Sequence, residues 1–201
     1  MGLDCNYQGV PSGLSIIEKA KVDLEFAENV FYPFIAYTKK LEDLYYFKES
    51  EFEEIRHLIQ QFPNLKNWNF NPVSRMQWAL IYVLSPKSYE ESEGSEDLKK
   101  SFYYQFIMGE TSFSENLKTT QGIPVRVSSP GFVKKCVDFS KNVNLPDLSR
   151  NFNASKMESL GIYKVFQDSS PQPVLDYFSE LSNFYENIAS KQDMQVFVTV
   201  D

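Results

Sequence analysis

The sequence predicts an α+β fold, helix-dominated and single-domain, with a small sheet formed by N-terminal, central (about 123–127) and C-terminal strands. Three stretches carry that reading. In GIPVRVSSPGFVKKCVDFSKNV, the extended run Ile123, Val125, Val127 stops at Ser128-Ser129-Pro130. Phe132, Val133, Cys136, Val137 and Ser140 then recur at helical spacing. Ser129 is placed to cap that helix, and Pro130 suits its first position because the N–H it lacks would be unpaired there anyway. Further on, Val174, Phe178, Leu181, Tyr185 and Ile188 step by four, three, four and three, the stripe of an amphipathic helix. MQVFVTV alternates and reads as a closing strand.

Taken in order, Leu3 to Tyr7 reads as a short strand and Gly9 to Gly13 as a turn. From Leu14 a helical stripe runs through Ile17, Ala20, Leu24, Ala27, Phe31 and Phe34. Pro33 removes a donor inside that stripe, so a kink is expected near Tyr32, with a second short helix from Ile35 to Leu44. Leu41–Phe47 is ambiguous between helix and strand. Ser50 and Glu53 form a capping box ahead of Phe52, Ile55, Leu58, Ile59 and Phe62, and that helix ends before Pro63. NLKNWNFNP reads as a loop. RMQWALIYVL, from Arg75 to Leu84, is apolar nearly all round and reads as a central buried helix.

The composition then shifts, and residues 85–97 (SPKSYEESEGSED) are expected to form a mobile acidic loop. Order resumes from Leu98 to Met108, with Gly109 as its C-terminal cap. Glu110 to Gln121 is polar and loop-like. LPDLSRNF and NASKMESLGIY read as two short helical segments, the second capped by Asn153 or Ser155 and ended by Gly161; QDSSPQP reads as a linker.

Hydrophobic residues make up 42% of the 201, and 17 Phe and 12 Tyr supply enough apolar area to exclude a disordered chain. The net charge of -7, with basic runs no longer than Lys39-Lys40, Lys99-Lys100 and Lys134-Lys135, argues against a nucleic-acid partner. No run reaches the ~18–20 apolar residues of a membrane span. The N-terminus lacks a secretory pattern, and Asn6 stands where myristoylation wants Ser or Thr. A cytoplasmic protein is expected, with Cys5 and Cys136 as buried reduced thiols.

Residue types that carry chemistry are sparse. His57, the single histidine, falls opposite the apolar face of its helix and should point to solvent. Neither a His/Cys ligand spacing nor a Gly-rich phosphate loop nor a GxSxG elbow is present, so no metal or cofactor is expected. Polar residues set among apolar neighbours are the remaining pocket candidates. Arg126 faces away from Val125 and Val127, Arg75 opens the central helix, Trp78 and Tyr82 lie one turn apart on it, and Tyr163 ends GIY. The alternative is structural: arginines paired with carboxylates and aromatic tips satisfying buried groups.

MGLDCNYQGVP, SRMQWALIYVLS, FIMGE, GIPVRVSSPGFV, the F-x4-M-x4-GIYK stretch from Phe152 to Lys164, and FSELSNFYENIASKQDMQVFVTVD together resemble the YfbM-like family of small bacterial proteins, over nearly the whole chain. That family is a domain of unknown function. The resemblance implies a single YfbM-like domain over 1–201, α+β and cytoplasmic, and brings no catalytic residues to transfer. Two functions are carried forward. The first is a non-enzymatic binding or interaction module for a protein partner or a small molecule, for instance immunity-type and neutralising a basic partner. The second is a small-molecule hydrolase or transferase using carboxylates with Arg75 or Arg126.

Overall fold

The two ends of the chain meet in the middle of the sheet. A computed structural model describes residues 4–36, 53, 56, 57, 60–72, 74–91 and 96–201. Strand β1 (Cys5–Pro11) pairs antiparallel with the last strand of the described sheet, Met194–Val200, from Cys5 opposite Val200 to Pro11 opposite Met194. With β2 (Asn69–Phe70), β3 (Thr111–Ser112), β4 (Arg126–Ser128) and that last strand as β5, the order is β2-β1-β5-β4-β3, antiparallel throughout. The sheet from both chain ends and a central segment is therefore present. Its central strand lies at 126–128, because Phe113, Leu117 and Thr119 hold residues 123–125 by backbone bonds of their own. Two edge strands fall in stretches that read as loops, NLKNWNFNP and 110–121. Strand β1 runs on to Pro11, past the turn expected at Gly9.

Because side chains alternate across a strand, β1 and β5 serve two cores at once. Cys5, Tyr7, Met194, Val196, Val198 and Val200 face one, and Val10 and Phe197 face the other. The second core is closed by α1 (Ser15–Val22), α2 (Leu24–Phe26) and α3 (Tyr32–Ala36). Asp23 ends α1 and caps α2, its Oδ1 accepting from the Phe26 amide at 3.0 Å. The kink expected near Tyr32 is a π turn over Ala27–Phe31, where the Tyr32 amide donates to Ala27. The widening falls just before Pro33, whose ring would clash with the carbonyl four residues back in a regular helix. The helix expected over 35–44, the 41–47 segment and the Ser50–Glu53 capping box lie outside the described residues except for Ile35, Ala36 and Glu53.

The first core is closed by α4 (Gln77–Leu84), α7 (Phe102–Met108), α8 (Pro130–Asn142) and α11 (Gln172–Ala189). α4 starts two residues later than its apolar run because Arg75 is left-handed, at φ 57°. α8 has the cap read from sequence: Ser129 Oγ accepts from the Phe132 amide at 3.2 Å, with Pro130 at the start. The expected acidic loop over 85–97 is a correction. Its described residues form α5 (Pro86–Glu91) and the start of α6 (Glu96–Lys100), with 92–95 outside the described set. Buried Tyr89 and Leu98 anchor these helices, and Lys87–Glu91, Glu96–Lys99 and Asp97–Lys100 pair along their exposed faces. Composition alone suggested solvent; one buried apolar anchor in each helix decides otherwise. α9 (Leu145–Asn151) and α10 (Ala154–Ser159, capped by Asn153) complete this layer.

The polar residues of β1 are not exposed. Asn6 donates to the Ile35 carbonyl at 2.9 Å, Gln8 Nε2 lies 3.1 Å from that of Leu65, and Asn69 Nδ2 lies 2.8 Å from Asn6 Oδ1 and 3.1 Å from Gln8 Oε1. This amide network ties β2 and the 3₁₀ turn Leu65–Trp68 to the sheet. Gly9 is required by close approach: a Cβ there would collide with Ile188 Cδ1 and press on Trp68 Cβ at 3.3 Å. Gly9→Ala is therefore expected to lower stability by about 1–2 kcal/mol in urea unfolding. Adding Ile188→Val, which removes the colliding atom, should recover part of that loss, and simple additivity of the two losses would refute the contact.

Candidate functional site

The five residues singled out from sequence fall into three places. Arg75 forms a two-pronged ion pair with Asp4, its Nε on Oδ1 and its Nη2 on Oδ2 at 2.6 Å. Asp4 holds this guanidinium above its ordinary value, and Tyr163 adds to the effect. Arg126 instead donates to the carbonyls of Gly109 and Glu110, both at 3.0 Å, satisfying the chain end left by α7. Its guanidinium carbon lies 5.6 Å from the centre of the Tyr104 ring, and burial pulls its pKa down. Trp78 packs 6.1 Å from the other side of this group, on Tyr104. Tyr82 donates to Glu90 at 2.9 Å; burial first, and Glu90 second, push its pKa up to about 12. Arg75 thus takes the expected carboxylate, whereas Arg126 takes carbonyls and a ring.

The thiols and three tyrosines lie inside the first core. Tyr7 Oη donates to the Ile107 carbonyl at 2.8 Å and meets Tyr177 Oη at 2.8 Å, while Tyr185 Oη donates to the Phe106 carbonyl at 2.9 Å. These hydroxyls satisfy the last turn of α7, so the sheet, α11 and α7 are locked together by polar contacts under the apolar packing. Burial drives all three phenols well above their usual range, raises Cys5 from 9.0 to about 12, and pushes Cys136 up as well. A thiol that keeps its proton is a poor nucleophile. His57 is exposed. Among the described residues no group of three His, Cys, Asp or Glu could hold a metal ion, and no helix is long and apolar enough to cross a membrane.

A cavity of about 160 Å³ opens where the start of α4 meets the loop after α10. Met76, Val165 and Val174 form its buried floor, Phe152 one wall, and Lys164 and Ser170 its rim. The loop over it is shaped locally. Gly161 leaves α10 at φ 68°, Lys164 is left-handed at φ 61°, and the Phe166 amide donates to Ser169 Oγ at 2.9 Å. Its outer surface carries Tyr163 at 40% and Phe166 at 60% exposure, both high for residues of that size. A shallower groove of about 250 Å³ lies between α8 and α11, but Ser140, Ser179 and Ser182 there already donate to carbonyls of their own helices. None of the five sequence candidates is among the cavity's lining residues, though Arg75 and Tyr163 directly precede Met76 and Lys164, which are. Lys164, Ser169 and Ser170 were missed, the two serines because QDSSPQP carries only the signature of a linker.

With this geometry in place, comparison with known proteins fixes the family. The family described as "Domain of unknown function (DUF1877)" matches residues 38–198. The chain belongs to that family. Among solved structures, the DUF1877 chain is similar to "The Crystal Structure of a Protein of Unknown Function YfbM from Escherichia coli". Identity there is 12%, with 98% of this chain and 99% of that one covered at a TM-score of 0.56. No curated protein matches. At that identity the likeness concerns the fold, and the YfbM-like domain of unknown function read from the motifs is what the comparisons support.

The buried thiols give two checks. Native protein should resist iodoacetamide at mildly alkaline pH and be labelled at both cysteines in denaturant; rapid native labelling would refute their burial. Above pH 9 an unfolded thiol releases its proton while the buried Cys5 keeps it, so the unfolded state gains and stability falls. From pH 9 towards 12 each such group should remove about 1.4 kcal/mol per pH unit. Cys5→Ala should lessen the slope of unfolding free energy against pH in that window.

Proposed function

We propose that this DUF1877 chain is a non-enzymatic binding module whose site is the cavity under the 161–174 loop. The observation that carries this is a division of labour among its side chains. Thiols and phenols suited to chemistry are sealed in the core, two of the phenols bonded to carbonyls, while an apolar cavity, an adjacent cation and two exposed aromatics converge on one loop. One of the three left-handed non-glycine residues, Lys164, lines the cavity, and a second, Arg75, directly precedes Met76 on its floor. Such backbone costs energy and persists where the surroundings impose it, commonly at ligand sites. A hydrolase or transferase would want an acid raised toward neutrality beside an arginine. Glu96 goes the other way, held below its usual value chiefly by its hydrogen bond to Lys99.

A thermal-shift screen with small organic acids, amines, nucleotides and metal ions tests this reading. A ligand that binds the native state alone at about one hundred times its Kd adds about 2.7 kcal/mol of stability. The expected hit raises the melting temperature of the wild type and loses its effect in Val174→Phe, which narrows the cavity from its floor. A shift indifferent to Val174→Phe, or turnover of the hit, would overturn the assignment. A flat screen with a protein bound through Tyr163 and Phe166 would favour the immunity-type reading instead.

A further inference from the structure

We infer that the cavity takes a small carboxylic acid with a compact apolar body, an aryl- or branched alkyl-carboxylate, its carboxylate at Lys164 and its apolar end among Met76, Val165 and Val174. The inference rests on the binding reading above and adds the chemistry of the ligand. Size comes first. A cavity of about 160 Å³ matches the roughly 150 Å³ that holds a benzene ring in an engineered apolar cavity, so a single ring or branched chain fits and a nucleotide does not.

Charge comes second. Lys164 forms no hydrogen bond or ion pair with a described residue, and its left-handed backbone fixes it at the rim of an apolar floor. In a chain of net charge -7, an uncommitted ammonium beside apolar walls selects an anion with a hydrophobic tail.

The number of donors then selects among anions. Phosphate recognition uses several converging N–H groups at a helix N-terminus. Here Pro171 and Pro173 carry no amide hydrogen, and the Val174 amide is already bonded to the Pro171 carbonyl at 3.0 Å. The start of α11 offers little, which leaves the Lys164 ammonium and the hydroxyls of Ser169 and Ser170. One cation and two hydroxyls match the single charge of a carboxylate better than a phosphate dianion.

The test follows methyl NMR signals of Met76, Val165 and Val174 through titrations with phenylacetate and with its uncharged isostere phenylacetamide. Phenylacetate is expected to shift all three saturably and to bind about fivefold more tightly than the amide, the size of a partly exposed ion pair. Added salt should narrow the gap. Lys164→Gln, an exposed substitution outside the core, should bring the acid down to the amide and leave the amide unchanged. Equal binding of acid and amide, indifferent to Lys164→Gln, would overturn the carboxylate inference while leaving the cavity a binding site. Titrations that move none of the three methyls would overturn both, provided the melting temperature shows the protein folded.

Discussion

The pairing of β1 with β5 is the contact on which the remaining structure depends. Seven residues of each strand face one another, and helices cover both faces of the pair. A strand buried on both sides usually reads as a continuous apolar run. CNYQGV does not, and the difference lies in how its polar members are satisfied. Asn6 and Gln8 spend their amides on the carbonyls of Ile35 and Leu65 and on Asn69, and Tyr7 spends its hydroxyl on Ile107 and Tyr177. A buried polar group without a partner costs on the order of 1–3 kcal/mol. β1 therefore fits one arrangement of the surrounding turns and helix ends, and its polarity specifies where those elements sit.

That specification reaches the candidate site. Asp4, one residue before β1, exchanges backbone bonds with Asp201 beyond the end of β5, and its carboxylate holds Arg75. Arg75 turns the chain into α4 and directly precedes Met76, on the floor of the cavity. The end of the sheet is thus linked through one guanidinium to that floor. The site is built on the edge of a rigid element, which suits recognition of a small rigid ligand with little rearrangement.

Elements with their own punctuation were legible in the sequence. Ser129, Pro130 and the stripe from Phe132 to Ser140 defined α8 down to its buried residues, because cap, proline and periodicity act within a few positions of one another. β2 and β3 were not, since a two-residue strand has no pattern of its own and exists only through its partners on β1 and β4. The acidic helices were masked by composition, with Tyr89 and Leu98 as the available clue. Tyr185 was counted as apolar stripe, and its hydroxyl partner, the Phe106 carbonyl, has no signature in the sequence. The cavity is a space between residues 76, 152, 164 and 174, and only the odd placement of Tyr163 among apolar neighbours hinted at it.

The position of β5 also orders events during synthesis. β1 is translated first, yet its central neighbour is the last strand of the described sheet to leave the ribosome. Until then Val10 lacks the cover of Phe197, and an unpaired strand edge stays open. Contacts so distant in sequence are slow to form, and an open edge is a template for pairing with other chains. The helices made in between can collect their apolar faces, but the layer they must rest on is completed only once Met194–Val200 has been made. A chain stopped shortly before Met194 would carry all the described helices without β5, a strand that both cores share.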